Sequence, residues 1–279
     1  MRKKRRRNDG LAVTAAVCAA AIAAVSAGAW YICKGETDAD AQKYGSYVSV
    51  ASPSDSAESR YTDIFESYAA YRGISAKEYP ESIREMYSKN PETENFVLQY
   101  PFKKGSVAEC DLSQYSDSAT VPLLMQWDER WGYAVYGGDV LGLTGCGPTC
   151  LSMVAFQLLR DVSLTPSYIA RYSTEKGYCL PGNGTSWSLM SDGARGLGLK
   201  VKELPLNKNL MINSLNSGNP LICIMGPGDF TDSGHYVVLT GVKDGKFTVN
   251  DPNSRQRSDR LWSYEEINTQ IRNIWSYSV

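Results

Sequence analysis

The feature that most restricts the fold is a change of period along the second half of the chain. Residues 149–160 carry Leu151, Val154, Ala155, Leu158 and Leu159 at three- and four-residue steps, the mark of a helix with a broad apolar face. Pro148 suits the first turn of that helix. Further on the apolar stretches are strand-like: residues 220–225, 235–242 and 246–250, the last two joined by Lys243-Asp244-Gly245. A helix first and antiparallel strands later, with no repeated strand–helix alternation and no internal repeat, predicts an α+β fold.

The region before this divides by composition. Residues 1–10 form a basic tail, and residues 11–33 are 23 residues without a charge, long enough to cross a bilayer as a helix. Arginines on the N-terminal side would hold that end in the cytoplasm and send the rest outward. Trp30 and Tyr31 beside Lys34 read as an interfacial belt and favour an uncleaved anchor; Ala27-Gly28-Ala29 is the signature of the alternative, a cleaved signal peptide. Residues 34–58 read as a solvated stalk. Residues 59–118 are expected as a helical lead-in that packs on the main domain, with Ile64, Tyr68 and Tyr71 on one face and Ile83, Met86 and Tyr87 on another. Asn90-Pro91-Glu92-Thr93 should break that run and start a further short helix. The main domain is set at 119–279.

Beyond residue 34 the chain holds 22 basic against 29 acidic residues, net −7. An acidic body excludes a nucleic-acid partner, which requires clustered cations. The partners expected are a membrane, through residues 11–33, and a substrate; the sequence does not speak to the oligomeric state. Cys18 and Cys33 fall in the apolar segment, and the other five cysteines have no regular spacing. Mostly free thiols are expected, one of them reactive.

A thiol needs a base or an electropositive setting to become a nucleophile. Cys146, in Gly145-Cys146-Gly147-Pro148-Thr149, stands at a helix start, where free backbone N–H groups favour a thiolate. Cys150 is the rival but lies a turn into the helix, where a core role is expected. His235 is the only histidine, so any Cys/His chemistry must use it. Asp251, in Val249-Asn250-Asp251-Pro252, ends the next strand, where a carboxylate can orient an imidazole. Hairpin register decides whether it does so. A two-residue Asp244-Gly245 turn sets Asp251 opposite Val238, away from His235. A three-residue loop sets it opposite Val237, on the His235 face. The expectation is the three-residue loop, with Gly245 at positive φ. Gln126, with the Cys146 N–H, can hold a developing oxyanion.

Taken together, Gln126-Trp127-Asp128 with Trp131, Tyr136-Gly137-Gly138, Gly145-Cys146-Gly147-Pro148-Thr149, Gly234-His235-Tyr236-Val237-Val238 and Asn250-Asp251-Pro252 resemble the papain-like cysteine peptidases related to the double-glycine leader (bacteriocin-processing) peptidases. The likeness is to stand-alone, exported relatives without a transporter domain, and it covers residues 119–279. It implies a papain-like fold, a helix carrying the nucleophile packed on an antiparallel sheet. The roles implied are Cys146 as nucleophile, His235 as general base and acid, Asp251 as orienting residue and Gln126 as oxyanion-hole residue.

Trp127, Trp131, Tyr136 and Trp187 are expected to line a substrate groove. The expected function is a cell-surface cysteine peptidase or related amide hydrolase acting on a peptide, a protein or a cell-wall peptide, with no metal or organic cofactor. The alternatives are a non-catalytic surface binding module on the same scaffold and a metal site built from Cys146, Cys150, Cys179 and His235.

Overall fold

The computed structural model describes residues 57–182 and 184–279. The basic tail, the 11–33 segment with Cys18 and Cys33, and nearly all of the 34–58 stalk lie outside the described residues. Among the described residues no helix is long and apolar enough to cross a membrane. The chain divides into two units, Met1–Tyr68 and Ala69–Val279. The first is described only over residues 57–68, within helix α1 (Ala57–Arg72).

The second unit is built on a six-stranded antiparallel sheet: β1 (Lys200–Glu203), β2 (Leu221–Met225), β3 (His235–Lys243), β4 (Lys246–Asn250), β5 (Leu261–Trp262) and β6 (Ile271–Ser278). Their order across the sheet is β1-β6-β2-β3-β4-β5. Every residue of β2 is buried. A strand covered on both faces reads as an apolar run and does not alternate, and here two cores do the covering. Ile222, Ile224, Tyr236 and Val238 belong to one with Leu151, Val154 and Ala155. Leu221, Cys223, Met225, Val237 and Leu239 belong to the other with Met211 and Leu215.

Before the sheet come α2 (Glu81–Lys89), α3 (Glu94–Lys103), α4 (Cys146–Leu159) and α5 (Pro166–Glu175); α6 (Lys208–Asn216) lies between β1 and β2. The α+β class is as expected. Helix α4 starts three residues ahead of the apolar period, so Pro148 falls within its first turn, and Arg160 closes it in the left-handed region at φ 56°. Asn90 breaks α2 from α3 as expected, its side chain accepting from the Glu92 N–H at 3.2 Å. Phe96 of α3 then stacks on Tyr133, with ring centroids 4.5 Å apart.

The β3–β4 hairpin corrects one expectation. Lys243 pairs with Lys246, which leaves a two-residue Asp244-Gly245 turn. Both turn residues have positive φ, 52° and 72°, the primed turn whose twist matches a hairpin and which favours glycine at its second position. By itself that turn would point Asp251 away from His235. A bulge undoes this: the register shifts between Leu239 and Gly241, so Val238 pairs with Asn250. The extra residue, Thr240, flips the pairing by one. Carried one step further, the register sets Asp251 opposite Val237, on the His235 face.

Candidate active site

Cys146 opens α4 and is partly exposed. No side chain caps this helix start. Its first N–H groups, which have no partner inside the helix, are therefore available to a charge placed there. The His235 imidazole and the Gly147 and Tyr236 backbone N–H groups stand near enough to the sulfur to favour its thiolate. Burial raises the thiol pKa, but these donors and the nearby imidazolium outweigh it, and the net shift is downward. Cys150, one turn on, is fully buried, and burial pushes its thiol well above the usual range. All five described cysteines are free, and among the described residues no His/Cys/Asp/Glu group is placed to hold a metal ion.

His235 is the first residue of β3, paired with Met225 of β2, and is 7% exposed. Its Nε2 lies 2.7 Å from Asp251 Oδ1. That leaves Nδ1 as the nitrogen that meets Cys146. Burial lowers the imidazole pKa, but the Asp251 charge and hydrogen bond, with the Cys146 contact, raise it to about 10. Asp251 is fully buried, which works against its charge, yet His235 and then Arg257 hold it below the usual carboxylate range. These shifts favour one state, thiolate beside imidazolium beside carboxylate.

Two further groups fix Asp251. Arg257 Nε donates to Oδ2 at 2.5 Å, and the Asn253 N–H donates to Oδ1 at 2.8 Å. Arg257 was not visible to sequence reasoning, because the short helix Arg255–Ser258 has no apolar period to place it. The turn is also gripped from far away. Glu92 accepts from Ser254 Oγ at 3.1 Å and from the Arg255 N–H at 3.1 Å, and Asn90 Nδ2 donates to the Asn253 carbonyl at 2.5 Å.

Gln126 ties both halves of the site together. Its N–H donates to the Pro252 carbonyl at 2.8 Å, next to Asp251, and its Nε2 donates to the Gly142 carbonyl at 2.7 Å, four residues ahead of Cys146. The side chain is 4% exposed, and Oε1 has no partner among the described residues. An amide has two N–H donors, so one remains for an incoming carbonyl oxygen.

The expected groove aromatics divide. Trp131 and Tyr136 are core residues: both are buried, with Trp131 Nε1 on the Met125 carbonyl and the Tyr136 hydroxyl between Ser173 and Thr185. Neither has surface left for a ligand, because each polar tip is satisfied inside the domain. Trp127 is also buried, its Nε1 donating to the Asn253 carbonyl at 3.1 Å and its face covered by Arg255. It braces the Asp251 turn and does not form a groove wall. Trp187 alone is 48% exposed, edge-on to Trp275.

Comparison with known proteins follows this geometry. Residues 118–279 match the model of the Peptidase_C39 like family. The solved peptidase domain of Streptococcus ComA, a bi-functional ABC transporter of a quorum sensing pathway, is 17% identical, with a TM-score of 0.42 over 57% of this chain and 98% of that one. A C39-like peptidase structure from Bacillus anthracis is also 17% identical, with a TM-score of 0.35 over 61% of this chain and 98% of that one. No curated protein matches. With more than half of its length matched, the chain belongs to the Peptidase_C39 like family and is a cysteine peptidase.

Proposed function

We propose that Cys146 is the nucleophile of this peptidase, with His235 as its acid and base, Asp251 as the orienting carboxylate, and Gln126 with the Cys146 N–H as the oxyanion hole. One observation carries the reading: the imidazole that bonds Asp251 Oδ1 at 2.7 Å also stands beside Cys146, whose thiol pKa it draws down. The thiolate adds to the peptide carbonyl, and the electron pair moves onto oxygen, where N–H donors hold it. His235 gives its proton to the departing amine, and the thioester forms. Water then attacks, losing its proton to His235, and the carboxylic acid leaves as the thiolate is restored.

The reading extends to location. Residues 11–33 with the preceding arginines support a single-pass anchor and a peptidase domain outside the cytoplasm, where its targets are peptides, proteins or cell-wall peptides. Membrane retention of the intact chain, and its accessibility to protease added to whole cells, test the anchor. A chain found only in the medium indicates a cleaved signal.

The test of the chemistry is the pH profile of iodoacetamide labelling at each cysteine, read by mass spectrometry, in the wild type and in His235→Ala. Cys146 alone should label well below the ordinary thiol pKa of about 8.5, and the variant should lose this. Labelling of Cys146 at the same pH in both proteins would overturn the assignment. A binding role that survives Cys146→Ala would favour a non-catalytic module.

A further inference from the structure

A cavity of about 760 Å³ opens beside Gln126. Helix α2 contributes Glu85 and Lys89, the loop between β2 and β3 contributes Asp229 and Asp232, and the turn after Asp251 contributes Arg257. Gln126, nearly all buried and with Oε1 unpartnered among the described residues, lines the same space. The cavity's position relative to the chemistry follows from the proton. The leaving amine must take it from His235, so the leaving half of a peptide lies on the imidazole side of the thiol. The loop that runs directly into His235 and the turn that follows Asp251 both border this cavity.

Its charge is one-sided. Arg257 is taken by Asp251, and Asp229 accepts from the Gln270 amide and not from a cation. Lys89 is shared between Glu85 at 2.8 Å and Asp232 at 3.6 Å, and Glu92, also on the lining, is held by Ser254 and Arg255, so Glu85, Asp229 and Asp232 face a single ammonium. That ammonium already bridges α2 and the loop at a solvent-exposed position, where a second cation can exchange with it.

Resting on the catalytic assignment above, we infer that this cavity binds the leaving segment of the peptide substrate and favours a Lys or Arg side chain there. Helix α2, outside the family-matched residues, is then part of the substrate site and not a removable cover. The test is a library of internally quenched decapeptides, randomised on both sides of the scissile bond, with cut sites read by mass spectrometry. The full chain is compared with Asp232→Asn, Glu85→Gln and the double variant.

Basic residues should be enriched in the leaving segment, by about two- to fivefold in kcat/KM per exposed ion pair. The enrichment should fall in the variants and at high salt. No enrichment, or enrichment that survives the double variant, overturns the inference. So does a library left uncut by a protein whose Cys146 still labels at low pH. If low-pH labelling of Cys146 is itself absent, the catalytic assignment fails, and the subsite with it. Intact labelling without charge preference removes the subsite alone.

Discussion

Helices α4 and α6 pack on opposite faces of one sheet, and they begin differently. The first turn of α6 is capped by Asn207, whose side chain accepts from the Asn209 and Leu210 N–H groups. Helix α5 likewise has Thr165. Helix α4 has Gly145 and no side-chain cap; a Cβ at that position would lie 2.5 Å from the Leu141 carbonyl oxygen, so no capping residue fits. A cap is worth about 1 kcal/mol, and α4 forgoes it. What it keeps are the Cys146 and Gly147 N–H groups, since Pro148 has none and the Thr149 N–H bonds the Gly145 carbonyl. The same architecture gives one helix a packing role and the other a chemical one, and the difference lies in one residue before each helix.

Five experiments bear on that contrast, and the largest effect comes from the α4 side. Cys146→Ala should abolish peptide hydrolysis while the fold, read by far-UV circular dichroism, stays intact. Residual turnover would place the nucleophile elsewhere. Next comes deletion of Thr240. Without the bulge the ladder runs straight from the turn, Asp251 swings off the His235 face, and activity should fall by about 10²–10⁴, as for loss of an acid–base partner. Normal activity in the deletion variant would show that the bulge does not set the pairing.

Asp251→Asn should give a smaller loss with a distinctive pH signature. The reactive state needs a protonated His235, so wild-type activity should fall as pH rises through about 10. Asp251 is the principal charge that raises this pKa, so in the variant the alkaline limb should move down toward the ordinary value near 6.5. An unmoved limb would assign it to another group. Gln126→Ala should cost about 10²–10³ in kcat, as for a lost oxyanion donor, while leaving low-pH labelling of Cys146 in place. On the opposite face, Asn207→Ala should lower stability by about 1 kcal/mol in urea titration without changing kcat/KM. An activity loss there would mean that the two faces are coupled.

The sequence made the principal elements legible where period and residue type coincide. The apolar face of α4 and the apolar runs of β2, β3 and β4 could be read because burial demands them. The convergence of Cys146, His235 and Asp251 was reached through a wrong intermediate. Turn chemistry points to a three-residue loop, because a type I turn followed by a left-handed glycine suits Asp-Gly-Lys, whereas the chain uses a tight turn and places its extra residue at Thr240. Gly241, an isolated glycine within a strand, was the available signal for a bulge. Trp131 and Tyr136 were misplaced because a large aromatic side chain fills a core as readily as it lines a groove. Arg257 and Glu92 were missed for another reason: their partners lie in a turn, 6 and about 160 residues away, and no local pattern encodes such contacts.

Strand β6 comes last in chain order among the strands yet lies inside the sheet, between β1 and β2. During synthesis the thiol of α4 therefore emerges long before the sheet that must support its imidazole is closed. Until β6 inserts, β2 has an open edge where β6 will pair, and β3 with His235 hangs on an incomplete platform. The platform of the catalytic imidazole therefore waits on the strand that is synthesised after the other five.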